Sequence, residues 1–123
     1  WYHHILDMNT WSKEQITDWQ TQQLRNFVRH AYEHTIYYRE SFDSLGLTPE
    51  DIQTIDDLKK LPVLTKDIIR ARFDDFVPDN ISQFPHRKDS TGGTTGERMH
   101  YLTSEETWGY VTAAKMVAWK TTS

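Results

Sequence analysis

No stretch constrains this chain more than Ser12 to His34. Ser12 followed by Gln15 is the reciprocal N-cap pattern, in which each side chain bonds the other's backbone N–H. Behind it Ile16, Trp19, Leu24, Phe27, Val28 and Ala31 recur at helical spacing, with Gln, Arg and Asn between them. The pattern predicts one long helix from Lys13 to about His34. A second helix, Tyr37 to Leu45, is expected to stop at Gly46, the usual residue for a left-handed C-terminal turn. Thr48-Pro49-Glu50-Asp51 is a further start signal, with proline at the first helical position and acids in the first turn. Thr54-Ile55-Asp56-Asp57 repeats it, and that short helix must stop before Pro62. Thr65 is expected to cap a piece from Lys66 to about Phe73.

The character changes after Pro78. Residues 79–84 are polar and irregular and are bracketed by Pro78 and Pro85. His86-Arg87-Lys88-Asp89 leads into a Ser/Thr/Gly run, then a strand candidate, Met99 to Leu102. Thr103 with Glu106 forms a second capping pattern for a last helix that starts at Thr103 or Ser104. Its apolar positions Trp108, Val111, Ala114, Met116, Val117 and Trp119 cover much of its circumference, which predicts burial. The expected fold is α+β and predominantly helical. Residues 1–78 form a helical subdomain; residues 79–123 hold a linker, the loop 90–97, a short strand and a helix of an incomplete α/β unit.

Composition removes whole classes of function. The 123 residues contain no cysteine, so disulfides, iron–sulfur clusters, thiolate zinc sites and a cysteine nucleophile are excluded. The net charge of -4 argues against nucleic acid as the partner. No apolar run reaches the ~18 residues that a membrane helix needs. Trp1-Tyr2-His3-His4 lacks the basic and then apolar layout of a signal peptide, so the expected location is cytoplasmic. Five Trp, six Tyr and five Phe are many for one modest core. The surplus, including Trp1, Trp11, Trp108 and Trp119, fits a face that packs on further domains or on a second copy.

Three of the five glycines fall between residues 92 and 96, interleaved with Ser90, Thr91, Thr94 and Thr95. Lacking Cβ, glycine lets an anion come close to the backbone; consecutive N–H groups can cradle it, and hydroxyls add donors without charge. Polyphosphate is the natural guest. A Walker A loop is excluded because Gly96 is followed by Glu97 rather than Lys. The dinucleotide fingerprint is excluded because a strand candidate follows where a helix should open. The loop alone serves equally as a hairpin turn between two strands.

The full string Ser90-Thr91-Gly92-Gly93-Thr94-Thr95-Gly96-Glu97 resembles the phosphate loop of adenylate-forming enzymes, in particular the phenylacetate–CoA ligase and CapK branch. Residues 24–33, Tyr37-Tyr38-Arg39-Glu40 and Leu58 to Lys66 resemble that branch's opening helices and the stretch after them. The resemblance runs from about Trp11 to Trp119. Arg98 stands where the branch usually has proline, which would either stiffen the strand entry less or add a charge near the phosphates. The resemblance implies the N-terminal portion of an ATP-dependent ligase that joins a small-molecule carboxylate to AMP and then to the thiol of coenzyme A. Ser90, Thr91, Gly92, Gly93, Thr94, Thr95 and Gly96 would hold the ATP phosphates. The adenine pocket, the acidic ligand of Mg2+ and the mobile lysine-bearing domain are expected downstream, so no catalytic or metal residue is assigned here. The chain alone is expected to be inactive.

Two rival readings remain. His30-x-x-Glu33-His34 spells the inverted zinc-protease signature, which Glu105 or Glu106 would have to complete. Alternatively the chain is a nucleotide-binding or interaction module without turnover. His3 and His4 read as solvated terminal residues, and His86 and His100 as a polar strand edge beside the loop. Asp56-Asp57 and Asp74-Asp75 read as solvated helix acids.

Overall fold

The computed structural model describes residues 2–92 and 98–121. It begins with helix α1 (Tyr2–Met8), which no apolar periodicity announces. Helix α2 spans Lys13–His34 and opens on the expected reciprocal cap. Gln15 N–H donates to Ser12 Oγ at 3.2 Å and Ser12 N–H donates to Gln15 Oε1 at 2.8 Å. It stops at Thr35, where the backbone is extended and the N–H and the buried hydroxyl both donate to Ala31 O. Helix α3 (Ile36–Leu45) follows at once and ends, as expected, on Gly46 in the left-handed region at φ 64°. A Cβ at Gly46 would meet nothing within 4 Å, so Gly46→Ala is penalised by backbone strain alone. Denaturant unfolding should show a loss of about 1 kcal/mol; an unchanged midpoint would mean that the left-handed turn is dispensable.

The two Thr-led start signals produce 3-10 turns, Pro49–Asp51 and Ile55–Lys60, rather than α-helix. Each ends within a turn or two, and Leu61 before Pro62 is extended, as the proline ring requires. The acids three residues after the threonines act as the caps. Asp57 Oδ2 accepts from Gln53 N–H, Thr54 N–H and Thr54 Oγ1 at 2.9–3.0 Å, and Oδ1 pairs with Lys60 Nζ at 2.7 Å. The Lys60 ammonium and these N–H and O–H donors hold the Asp57 carboxyl well below the ordinary carboxylate range. A depressed folded-state pKa means that this stabilisation is complete above the unfolded value, ~3.9, and is lost as the pH falls below it. Asp57→Asn should therefore flatten the acid limb of the stability–pH curve, read by thermal melting between pH 5 and 2; an unchanged limb would remove Asp57 from acid unfolding.

Helix α4 (Lys66–Ala71) starts where Thr65 Oγ1 accepts from Ile68 N–H, at 3.3 Å. It ends two residues short of the expected Phe73, because Arg72 leaves helical geometry and Phe73–Phe76 tightens into a 3-10 turn. Arg72 ties that turn to α3. Its guanidinium bonds Asp75 Oδ2 and Glu40 Oε2, each at 2.6 Å, and lies over the Tyr37 ring, which stacks on Phe76 at 4.3 Å. Asp75 thus belongs to an ion-pair network rather than to a bare solvated face.

Strands β1 (His86–Ser90) and β2 (His100–Ser104) form a two-stranded antiparallel sheet, and helix α5 (Glu105–Thr121) follows directly. The expected cap of α5 is displaced by one residue. Thr103 lies within β2, and Ser104 Oγ accepts from Thr107 N–H at 3.1 Å. Burial of α5 is also less than its composition predicts. Ala113 and Val117, one turn apart, are buried, and α5 packs on α1, but Trp108, Val111, Met116 and Trp119 stay exposed.

The core is small: Val28, Phe42 and Ile52 are buried, with Leu24, Tyr32, Leu47 and Leu61 packed against them. On α2 the inward stripe is Leu24–Val28–Ala31, and Phe27, one residue off it, is 66% exposed. A second cluster corrects two expectations. Half-buried His4 lies edge-on to Trp11 at 5.8 Å and to Tyr110 at 6.2 Å, and Trp11 packs edge-on to Trp19 at 6.3 Å. His4 and Trp11 are therefore internal packing groups, not a solvated end and a spare ring. Among the described residues no helix is long and apolar enough to cross a membrane.

Candidate functional site

The Ser/Thr/Gly run sits at the turn end of the β1–β2 ribbon. Pairing starts at His86↔Ser104 and runs through Ser90↔His100. One further rung closes it: Thr91 N–H donates to Met99 O at 2.9 Å, and Met99 N–H donates to Thr91 Oγ1 at 3.2 Å. Thr91 thus commits its amide and a hydroxyl lone pair to the stem, and its hydroxyl hydrogen is what it can offer an anion. Of the nominated residues, Ser90, Thr91 and Gly92 are described; Gly93, Thr94, Thr95 and Gly96 lie outside the described residues. Gly92 has an ordinary φ, and a Cβ there would meet nothing within 4 Å.

Antiparallel register makes paired residues share a face, and alternate residues along each strand join them. Lys88, Ser90, His100 and Leu102 therefore occupy one face of the ribbon. Beside it lies a cleft of about 310 Å³ formed by Ile69, Arg70, Phe73, Lys88, Arg98, Met99 and His100. Lys88 Nζ sits 5.0 Å from the centre of the Phe73 ring, and Arg70 bonds Asp67 Oδ1 at 2.9 Å. His100, read from sequence as a polar strand edge, lines this cleft. Lys88 escapes sequence reading altogether, because only the strand register aligns it with Ser90 and His100. On the opposite face Arg87 Nε bonds Asp89 Oδ2 at 3.0 Å, and the Arg87 guanidinium lies 4.9 Å from the Trp108 ring centre.

The zinc reading finds no geometry to support it. His30 and His34 do lie one turn apart, with ring centres 4.7 Å from each other. But His34 Nδ1 bonds Asp79 Oδ1 at 2.7 Å, and His30 packs edge-on against Phe84. Glu105 and Glu106 open α5 instead of completing a site, and among the described residues no group of three or more side chains could hold a metal ion.

No protein-family model matches the chain. Curated relatives do. It is 32% identical over 114 residues to the phenylacetate-coenzyme A ligase of Aromatoleum evansii, an alignment covering 87% of this chain and 25% of that protein. It is 37% identical over 93 residues to the enzyme of the same name from Escherichia coli (strain K12), covering 73% and 21%. It is 30% identical over 122 residues to the one from Pseudomonas putida, covering 93% and 27%. The chain spans about a quarter of the length of the curated relatives it matches.

Proposed function

Because this chain is related along most of its length to phenylacetate-coenzyme A ligases, we propose that it is the N-terminal part of an ATP-dependent carboxylate–CoA ligase and contributes the loop that binds the ATP phosphates. In this reading a carboxylate oxygen attacks the α-phosphorus of ATP and pyrophosphate leaves; the thiol of coenzyme A then attacks the acyl carbon and AMP leaves. Magnesium, bound by residues elsewhere in the protein, would shield the phosphate charge. Residues 90–96 take no proton in either step. They position the β- and γ-phosphates and stabilise the charge that moves onto pyrophosphate, with Ser90, Thr91, Thr94 and Thr95 offering hydroxyls and Gly92, Gly93 and Gly96 offering room.

The observation that carries the reading is the Thr-Gly-Gly-Thr-Thr-Gly run at the end of a two-stranded ribbon that leads straight into a helix, in a chain with this kinship. Exposed Trp108 and Trp119 on α5 fit a helix that the rest of such a protein covers. A cytoplasmic location, where ATP and coenzyme A are held, belongs to the same reading. The test is carboxylate-dependent ATP–pyrophosphate exchange by the full-length protein, with a panel of aryl and aliphatic acids. Exchange with one acid class establishes adenylation and identifies the class. Silence from folded, full-length protein with every acid leaves a nucleotide-binding or interaction module.

A further inference from the structure

We propose that the cleft between α4 and the loop end of the β1–β2 ribbon is a second anion subsite, which holds a phosphate-bearing ligand through Lys88 and Arg98. Its ligand class rests on the adenylation reading; its geometry does not. The first support is charge. Acids outnumber lysines and arginines by 18 to 14 in this chain, yet the described residues that line the cleft include three of those cations, a histidine and no carboxylate. Among the described residues no carboxylate pairs with Lys88 or Arg98. Arg70 also lines the cleft but is already engaged, with Asp67 among its partners.

The second support is arrangement. Three elements converge here: Arg70 from α4, Lys88 from β1, and Arg98 with His100 from the start of the returning strand. Ser90, at the root of the glycine-rich loop, shares its ribbon face with Lys88 and His100. Ile69, Phe73 and Met99 are half-buried and form an apolar floor, and the Lys88 ammonium rests over the Phe73 ring. An anion seated between these cations and the apolar floor displaces water from between them, so it gains more there than on a flat polar surface. A volume of about 310 Å³ accommodates more than one phosphate group.

The phosphate has two possible sources: pyrophosphate from the first half-reaction, or the phosphate-rich end of coenzyme A. Titration calorimetry on the full-length protein separates them, with inorganic pyrophosphate and adenosine 3′,5′-bisphosphate as the probes. The measurements are made in a Gly93→Val background, so that the loop does not contribute. Lys88→Ala with Arg98→Ala should weaken binding of one probe at least tenfold, and Lys88→Arg should restore the Lys88 share, as expected for charge-assisted contacts. Both side chains are exposed, so the substitutions leave folding intact, which the thermal midpoint checks. Loss confined to pyrophosphate assigns the subsite to the leaving group, and loss confined to the bisphosphate assigns it to the acceptor. The proposal is overturned if neither probe binds, or if both bind the Ala/Ala protein as tightly as its parent. Acid-dependent exchange with unaltered probe binding sinks the subsite and leaves adenylation standing. Lys88-dependent binding without exchange does the reverse.

Discussion

Gly93→Val in the full-length protein should lower carboxylate-dependent ATP–pyrophosphate exchange by ~100-fold or more. The loop's proposed work is to bring backbone N–H groups within hydrogen-bond reach of phosphate oxygens. In that reading a branched side chain in the middle of Gly92-Gly93-Thr94-Thr95 would crowd the close approach that glycine's missing Cβ allows. The neighbouring glycine supplies the control. Gly92→Ala adds a Cβ that meets nothing within 4 Å at an ordinary φ, so the thermal midpoint should not move. Any loss of exchange in Gly92→Ala then reports crowding of ligand rather than damage to the fold. Exchange at the wild-type rate in Gly93→Val would take the loop out of the reaction.

Phe42→Ala should be the most destabilising single truncation, costing about 3–5 kcal/mol. Phe42 is 1% exposed, lies edge-on to Tyr32 at 5.7 Å and packs with Val28 and Ile52, the latter with no exposed surface. Few residues stand behind this cluster to collapse into the cavity. A loss of that size is a large share of the ~5–15 kcal/mol that typically holds a domain together. Urea unfolding followed by tryptophan fluorescence should show a much lower midpoint or no folded baseline. Phe27→Ala, at a ring that is 66% exposed, should stay within ~0.5 kcal/mol of the parent. Equal effects at the two phenylalanines would mean that the core lies elsewhere.

Those two rings also mark what is legible in the sequence. Phe27 and Val28 are adjacent apolar positions of one periodic stretch, and periodicity alone admits both to the buried face. Which is buried depends on where α3 and the 49–52 segment cross α2, a long-range contact that no local pattern encodes. Cap chemistry behaved differently. The ends of α2 and α3 fall where Ser12, Gln15 and Gly46 place them, because a cap is settled within four residues. The signals at Thr48 and Thr54 were legible as starts, but their length was not. Helix propagation needs room for several turns, and Pro62 with the next start signal cuts it short. The cap of α5 falls on Ser104, the last residue of β2, one position beyond the expected Thr103, because the strand runs on through Thr103 and the helix opens only at Glu105.

The site divides in the same way. Its residue types, and the family they resemble, stand in the linear string from Ser90 to Glu97, since a phosphate loop is made of consecutive backbone donors. The basic cleft was not legible. Arg70, Lys88 and Arg98 are separated by 18 and 10 positions and meet only through strand register and the placement of α4. By itself, then, the sequence determined the caps of α2 and α3, the lack of cysteine in these 123 residues and the Ser/Thr/Gly string that resembles a phosphate loop, all of which depend on neighbours along the chain or on composition. Tertiary structure alone decided which apolar side chains form the core, that His4 and Trp11 pack inside while Trp108 and Trp119 face outward, and which cations converge beside the loop. Each of those outcomes depends on contacts that join separate elements, such as His4 with Tyr110, which no local pattern encodes.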